Sequence, residues 1–272
     1  MMSAHAHDER TPERFRRPPK PRSAWAYFVD FDGTLVSFAP TPGAVQVDAD
    51  VKAMIARVSQ LSGGALAIIS GRAIADVDAM MGTSKLPMAG LHGLERRRAD
   101  GTHLRPPSEG ASLEAVRSFL RTALRGRTQL LLEDKGVSLA LHYRVAPTLS
   151  HYAQRIMRLA LARADGAYRL QTGKCVVELL PAHANKGDAI RAFMSEPPFA
   201  GRVPVFIGDD DTDESAFVEV NARKGVSVKV GGGNTMAYWS LPDVASVREW
   251  LHTLDTPPVV HHTLPHRHHA DA

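Results

Sequence analysis

The chain has 272 residues with 44% hydrophobic content, enough for one large domain or two modest ones with ordinary buried cores. No apolar run approaches the roughly 18 residues of a membrane span, and the Arg- and Pro-rich start has no apolar stretch of the secretory kind, so a cytoplasmic protein with no membrane role is expected. A single cysteine, Cys175, excludes an intrachain disulfide and a cysteine-built metal site. The net charge of +4 sits largely in residues 1–23, where six Lys/Arg face Asp8, Glu9 and Glu13; the rest is near neutral, and no nucleic-acid partner is expected.

In chain order, residues 1–23 read as a disordered basic tail. A short apolar strand at 26–29 then runs into the turn-rich Asp30-Phe31-Asp32-Gly33-Thr34. Val51, Met54, Ile55, Val58 and Leu61 recur at helical spacing over 50–61. A second strand, 65–69, stops at Ser70-Gly71-Arg72 and precedes a helix over 74–81. The rhythm changes after residue 100: helix 113–124, alternating segments 130–134 and 138–144, helix 150–164, and a second strand pair at 168–172 and 175–180. That order predicts a small α+β domain with an antiparallel sheet, spanning 101–182 and inserted into a parallel-sheet domain made of 24–100 and 183–255. Lys186 opens a helix, and the apolar strand 203–207 ends at Gly208-Asp209-Asp210-Asp211. Residues 256–272 read as a second disordered tail, rich in histidine.

The chemistry-bearing residues fall at strand ends or at a helix start, where open parallel sheets bind ligands. Asp30 and Asp32 can approach one site, one to attack phosphorus and the other to shuttle a proton, although turn aspartates capping a following segment would look the same. Ser70 offers a hydroxyl to a phosphate oxygen, and Lys186 a fixed positive charge. Asp209, Asp210, Asp211 and Asp213 crowd like charges that call for a counter-ion, and all-oxygen ligation suits Mg2+. Cys175 has no histidine near it in sequence and reads as an inert residue packed in a strand.

Taken in order, these elements resemble the four motifs of the haloacid dehalogenase superfamily. Within it the chain resembles the trehalose-6-phosphate phosphatases through VDFDGTL (29–35), SGR (70–72), GLHGLERR (90–97), LEDKGVSLALHYR (132–144), KCVVELLP (174–181), NKGDAI (185–190) and GDDDTDESAF (208–217). The resemblance implies a Rossmann-like parallel core with an inserted α+β cap, and hydrolysis of trehalose 6-phosphate through an aspartyl phosphate. It implies Asp30 as nucleophile, Asp32 as general acid/base, and Ser70 and Lys186 as holders of the phosphoryl group. Mg2+ would be held by Asp209, Asp30 and the backbone carbonyl of Asp32, supported by Asp213 directly or through water. Glu133, Lys135 and Glu178 carry over as sugar contacts; Arg144 and His92 as sugar contacts or structural hydrogen-bonding residues; Asn185 as a group that orients Lys186 or touches substrate. Arg72 reads equally as a surface residue at the start of a helix. Functional coupling to a trehalose-6-phosphate synthase also follows from the resemblance. The rival readings are a phosphatase of sucrose phosphate or of a glycosyl phosphoglycerate, a phosphomutase, and, in another class, a non-catalytic sugar-phosphate sensor.

Overall fold

The computed structural model describes residues 15–105, 113–164 and 166–255. An eight-stranded sheet forms the core. In chain order its strands are β1 (Trp25–Val29), β2 (Leu66–Ile69), β3 (Met88–Gly90), β4 (Glu95–Arg97) and β5 (His103–Leu104), with β10 (Val203–Gly208), β11 (Val226–Val230) and β12 (Trp239–Leu241) contributed after an intervening domain. They lie in the order β12-β11-β10-β1-β2-β3-β4-β5. All neighbours from β12 to β3 pair in parallel, whereas β4 and β5 run antiparallel.

The central strands are apolar throughout because both faces are covered. On one face Tyr27, Val29, Leu66, Ile68, Val205 and Ile207 meet helices α1 (Ala49–Leu61), α2 (Ile74–Met81) and α7 (Val244–His252). On the other, Phe28, Ala67, Ile69 and Phe206 meet α5 (Lys186–Phe193) and α6 (Glu214–Ala222). Each such fully buried Leu, Ile or Phe contributes about 1.5–3 kcal/mol. Side-chain caps set the helix starts: Asp48 accepts from Val51 N, Asn185 from Asp188 N and Asp243 from Ser246 N. Helix α2 has no cap of its own, and Glu95 on β4 supplies one, accepting from Ile74 N at 2.5 Å.

The inserted domain carries α3 (Glu114–Ala123), β6 (Leu131–Asp134), β7 (Leu139–His142), α4 (Ser150–Leu161), β8 (Tyr168–Gly173) and β9 (Val176–Pro181), with strand order β6-β7-β9-β8 and every pairing antiparallel. Leu139, Leu141, Val177 and Leu179 point to one face and pack with Val116, Leu120, Ala153 and Met157 of the two helices. The alternate residues point the other way, towards the core.

Three expectations need correction. Residues 101–105 belong to the core, because His103 and Leu104 pair with β4. Residues 15–23 are no detached tail: Arg16 donates from its N to Ser240 Oγ (2.9 Å), accepts from Ser240 N (2.8 Å) and stacks 4.3 Å over Trp239, and Pro19 O accepts from Trp250 Nε1 at 3.0 Å. This segment covers the edge strand β12, which would otherwise present unpaired backbone groups. Cys175 lies in the two-residue turn between β8 and β9 at φ 65°, not within a strand. The remaining tail residues, 1–14 and 256–272, lie outside the described part. Among the described residues no helix is long and apolar enough to cross a membrane.

Candidate active site

The strand ends at the carboxyl edge of the core deliver the acidic groups to one place. Asp30 follows β1 and is 4% exposed; Lys186, at the start of α5 and 2% exposed, donates to Asp30 Oδ1 at 2.7 Å and to Asp213 Oδ1 at 2.6 Å. Asp213 is fixed at its second oxygen too, since Oδ2 accepts from the backbone N–H of Asp209 (2.8 Å) and of Asp210 (2.9 Å). Lys229 on β11 donates to the carbonyl of Asp209 at 2.5 Å and pins the same loop. Carboxylate oxygens of Asp30, Asp209 and Asp213 all lie within 4.8 Å of one another.

Asp209 can come this close only because residue 33 is glycine. Gly33 sits at φ 82°, and a Cβ there would stand 2.3 Å from Asp209 Oδ2. Burial pushes the Asp209 carboxyl up to about 6, opposed by Lys174 and aided by Asp213 and Asp210. Burial also pushes Asp30 well above the carboxylate range against the pull of Lys186, with Asp213 and Asp209 adding to the rise. Lys186 is held up by Asp213 and Asp30, which outweigh its own desolvation.

Asp32 is placed differently. Its two oxygens accept from Arg72 Nε (2.6 Å) and Nη2 (2.8 Å), and Arg72 is anchored in turn by Nη1 on the carbonyl of Pro42 at 2.9 Å. Arg72 is therefore no surface residue. Ser70, 1% exposed at the end of β2, accepts through Oγ from Arg72 N at 3.1 Å, so one turn carries both groups.

The cap presents its polar face to this edge. The period of two and the register align Glu133, Ala140, Glu178 and Gln171 across the four strands, and beside them Leu131, His142, Val176 and Gly173. Glu178 accepts from Ser138 Oγ at 2.7 Å and from Lys135 Nζ at 3.2 and 3.3 Å, and its Oε2 lies 3.1 Å from His92 Nε2 of the core. Desolvation alone would raise its pKa, but Lys135, His92 and Ser138 together hold it well below the usual range. Lys135 also donates to the core carbonyl of Gly71 at 2.9 Å, and Glu133 pairs with His142 Nε2 at 2.8 Å. His92 adopts φ 56° beside Gly71, where a Cβ would meet its ring at 2.7 Å.

The β8–β9 turn makes a second approach to the core. Lys174 Nζ donates to Asp209 Oδ2 at 2.5 Å, and Lys174 N to Asp210 Oδ2 at 3.1 Å. Arg144 donates from Nη2 to Lys174 O at 2.7 Å and stacks 4.4 Å over Phe38, a core residue.

A cavity of about 140 Å³ between cap and core is lined by Asp30, Asp32, Ser70, Lys186, Asp209, His92, Glu133, Lys135, Arg144 and Glu178. Asn185 is not among the lining residues. Its side chain accepts from Asp188 N at 2.8 Å and pairs with the Asp188 carboxylate, which makes it the cap of α5, the helix that Lys186 opens. Sequence reasoning missed Lys174, His142, Gln171 and Phe38, all of them lining residues. For Lys174 a signal existed: in a strand pair with Glu178 facing inward, residues 176 and 174 share that face.

This parallel core with its inserted cap shares its fold with a haloacid dehalogenase-like hydrolase from Bacteroides thetaiotaomicron, at a TM-score of 0.55 and 13% identity over 84% of this chain and 98% of that one. A more specific likeness follows from comparison with known proteins. The profile of the trehalose-phosphatase family matches residues 28–241, and the chain belongs to that family. It is 44% identical over 207 residues to a probable trehalose-phosphate phosphatase of Sinorhizobium fredii, covering 76% of this chain and 78% of that protein. It is 41% identical over 249 residues to the trehalose-6-phosphate phosphatase of Escherichia coli, covering 90% and 91%. The C-terminal domain of the Candida albicans trehalose-6-phosphate phosphatase shares the fold, with a TM-score of 0.75 at 22% identity over 87% of this chain and 91% of that one.

Proposed function

We propose that this chain hydrolyses trehalose 6-phosphate to trehalose and inorganic phosphate through a phosphorylated Asp30. One observation carries the reading: a single cavity is lined both by the set suited to phosphoryl transfer, Asp30, Asp32, Ser70, Lys186 and Asp209, and by the cap residues Glu133, Lys135 and Glu178, which suit sugar hydroxyls. The family membership and the relatives' names point the same way.

Lys186 takes Oδ1 of Asp30, which leaves Oδ2 to attack phosphorus. The P–O bond to the sugar breaks as the new O–P bond forms, and the leaving alkoxide takes a proton from Asp32. Ser70 and Lys186 hold the equatorial oxygens meanwhile. Asp32, now a carboxylate, then removes a proton from water, which attacks the phosphorus of the acyl phosphate and regenerates Asp30 with release of phosphate. Arg72 grips both Asp32 oxygens. Asp32 must therefore yield one of them to reach the leaving oxygen.

The residues fit a divalent cation. Asp209 Oδ1 is buried with no hydrogen-bond partner among the described residues, and the neighbouring donors are all oxygen. Mg2+ is the cation we propose, held by Asp30 and Asp209; bound there it would neutralise charge on the phosphoryl oxygens. Asp213, whose two oxygens are engaged by Lys186 and two backbone N–H groups, would support that site by fixing the loop. A cytoplasmic site of action is part of the same reading, in keeping with the free thiol of Cys175.

The test is phosphate release from trehalose 6-phosphate beside glucose 6-phosphate and sucrose 6-phosphate, with Mg2+ and with excess EDTA. Trehalose 6-phosphate should be turned over fastest, and only with the cation. Faster turnover of sucrose 6-phosphate would reassign the substrate, and undiminished activity in EDTA would remove the metal.

A further inference from the structure

Lys174 is tied to the core at its side chain and at its backbone. Its ammonium lies 2.5 Å from Asp209 Oδ2, and its N–H donates to Asp210 Oδ2 at 3.1 Å. The two partners differ in their surroundings, since the Asp209 side chain is 2% exposed whereas that of Lys174 is 46% exposed. An ammonium on a flexible four-carbon stem, half in solvent, has brought positive charge to a buried carboxylate whose other oxygen is unpartnered. The approach is built into the hairpin. Cys175 holds a left-handed φ of 65° to close the two-residue turn, and Gly173 lies so close to Asp210 that a Cβ would stand 2.7 Å from Oδ2. Arg144 on Lys174 O and over Phe38 braces the turn from the other side.

We infer that Lys174 is a tethered counter-ion of Asp209, which competes with the divalent cation for that carboxylate and so couples cation binding to release of this cap turn. The inference rests on the cation reading of the preceding section. A doubly charged ion on Asp209 would lie within a few ångströms of the ammonium, and repulsion at that range in a partly buried site outweighs one hydrogen bond. Lys174 is thus a positioning residue, acting on the reaction through the cap turn that it holds or releases.

The experiment is calorimetric titration of the substrate-free full chain with Mg2+. Lys174→Gln should bind Mg2+ about tenfold more tightly than the unaltered chain, and Lys174→Arg, which keeps the charge, should bind like it. A residue that merely supported the fold would weaken the affinity when replaced. In hydrogen–deuterium exchange, Mg2+ should speed exchange of the 168–181 hairpin in the unaltered chain and leave it unchanged in Lys174→Gln. Binding by the unaltered chain with equal or weaker affinity in Lys174→Gln overturns the inference alone, as does slower hairpin exchange on adding Mg2+ to the unaltered chain. Absence of Mg2+ binding in the unaltered chain overturns the cation reading and the inference with it.

Discussion

Asp30 and Asp32 are two residues apart, yet one is sealed beneath Lys186 and the other is clasped from the side by a guanidinium. For the proposed nucleophile, Asp30→Asn should abolish turnover, because the amide cannot form the acyl phosphate, while far-UV circular dichroism stays native. Retained Mg2+-dependent turnover would rule out the covalent route. Arg72 acts through Asp32, so its loss should be felt in kcat. Arg72→Ala removes two hydrogen bonds between charged groups, each about 1.5–3 kcal/mol, and kcat should fall at least about tenfold with KM little moved. Steady-state kinetics check this, and a rise in KM at constant kcat would mean that Arg72 holds substrate instead. The four motifs were legible because each pairs a reactive side chain with a strand end or, for Lys186, a helix start. Arg72 was not, since sequence cannot tell a guanidinium pointing into a helix start from one folded back on an aspartate forty residues earlier.

The elements of the cap divide labour by the alternation of their strands. Its apolar face was readable from the alternation of 130–134 and 138–144, whereas Glu178 came only with the family resemblance, because Val176-Val177-Glu178-Leu179-Leu180 does not alternate. The core strand β4 escaped the same reading. Its residues are Glu95, Arg96 and Arg97, all buried, and each has a charged or aromatic partner or a helix N-terminus elsewhere: Glu95 on α2, Arg97 by two bonds to Asp78 at 2.6 and 2.8 Å, Arg96 over Phe193 at 4.8 Å and in an ion pair with Glu196. A charged strand inside a core carries no hydrophobic period, and only the tertiary partners explain it. The proposed sugar site gives a prediction at this scale. Glu178→Gln weakens the hold on Lys135 and on His92, so kcat/KM for trehalose 6-phosphate should drop about ten- to a hundredfold. The loss on p-nitrophenyl phosphate, which lacks the sugar, should be at least tenfold smaller. Equal losses on the two esters would assign Glu178 to the core chemistry or to folding.

At the scale of the whole molecule, three buried carboxylates, Asp209 and Asp30 against Glu178, make stability depend on pH in opposite senses. Asp209 has its pKa raised by burial in the fold, so its contribution is complete below about pH 4 and is lost as pH rises through about 6; Asp30 adds in the same direction. Glu178 has its pKa lowered, so its contribution is present above its unfolded value of 4.5 and is lost as pH falls below it. Urea unfolding in EDTA should therefore find greatest stability at about pH 4–4.5, declining from there as pH rises through about 6, and Asp209→Asn should flatten that decline. Excess Mg2+ should flatten it too, because a cation then takes the place of the proton. An alkaline decline that survives both changes would exclude Asp209 as its source. The two-domain plan could be read from the change of rhythm near residue 100, but the docking of residues 15–23 could not, because a proline-rich segment with few apolar groups gives no periodic sign of the edge that it covers. The return from cap to core is short: four residues, Ala182 to Asn185, separate the end of β9 from Lys186. A body that swings on so brief a hinge travels least near the pivot, and there Asn185 ties the first turn of α5 while Arg169 of the cap holds the carbonyl of Ala184 at 2.8 Å. Lys186 and the charges around it lie beside this link, where any turning of the cap upon it would move them least.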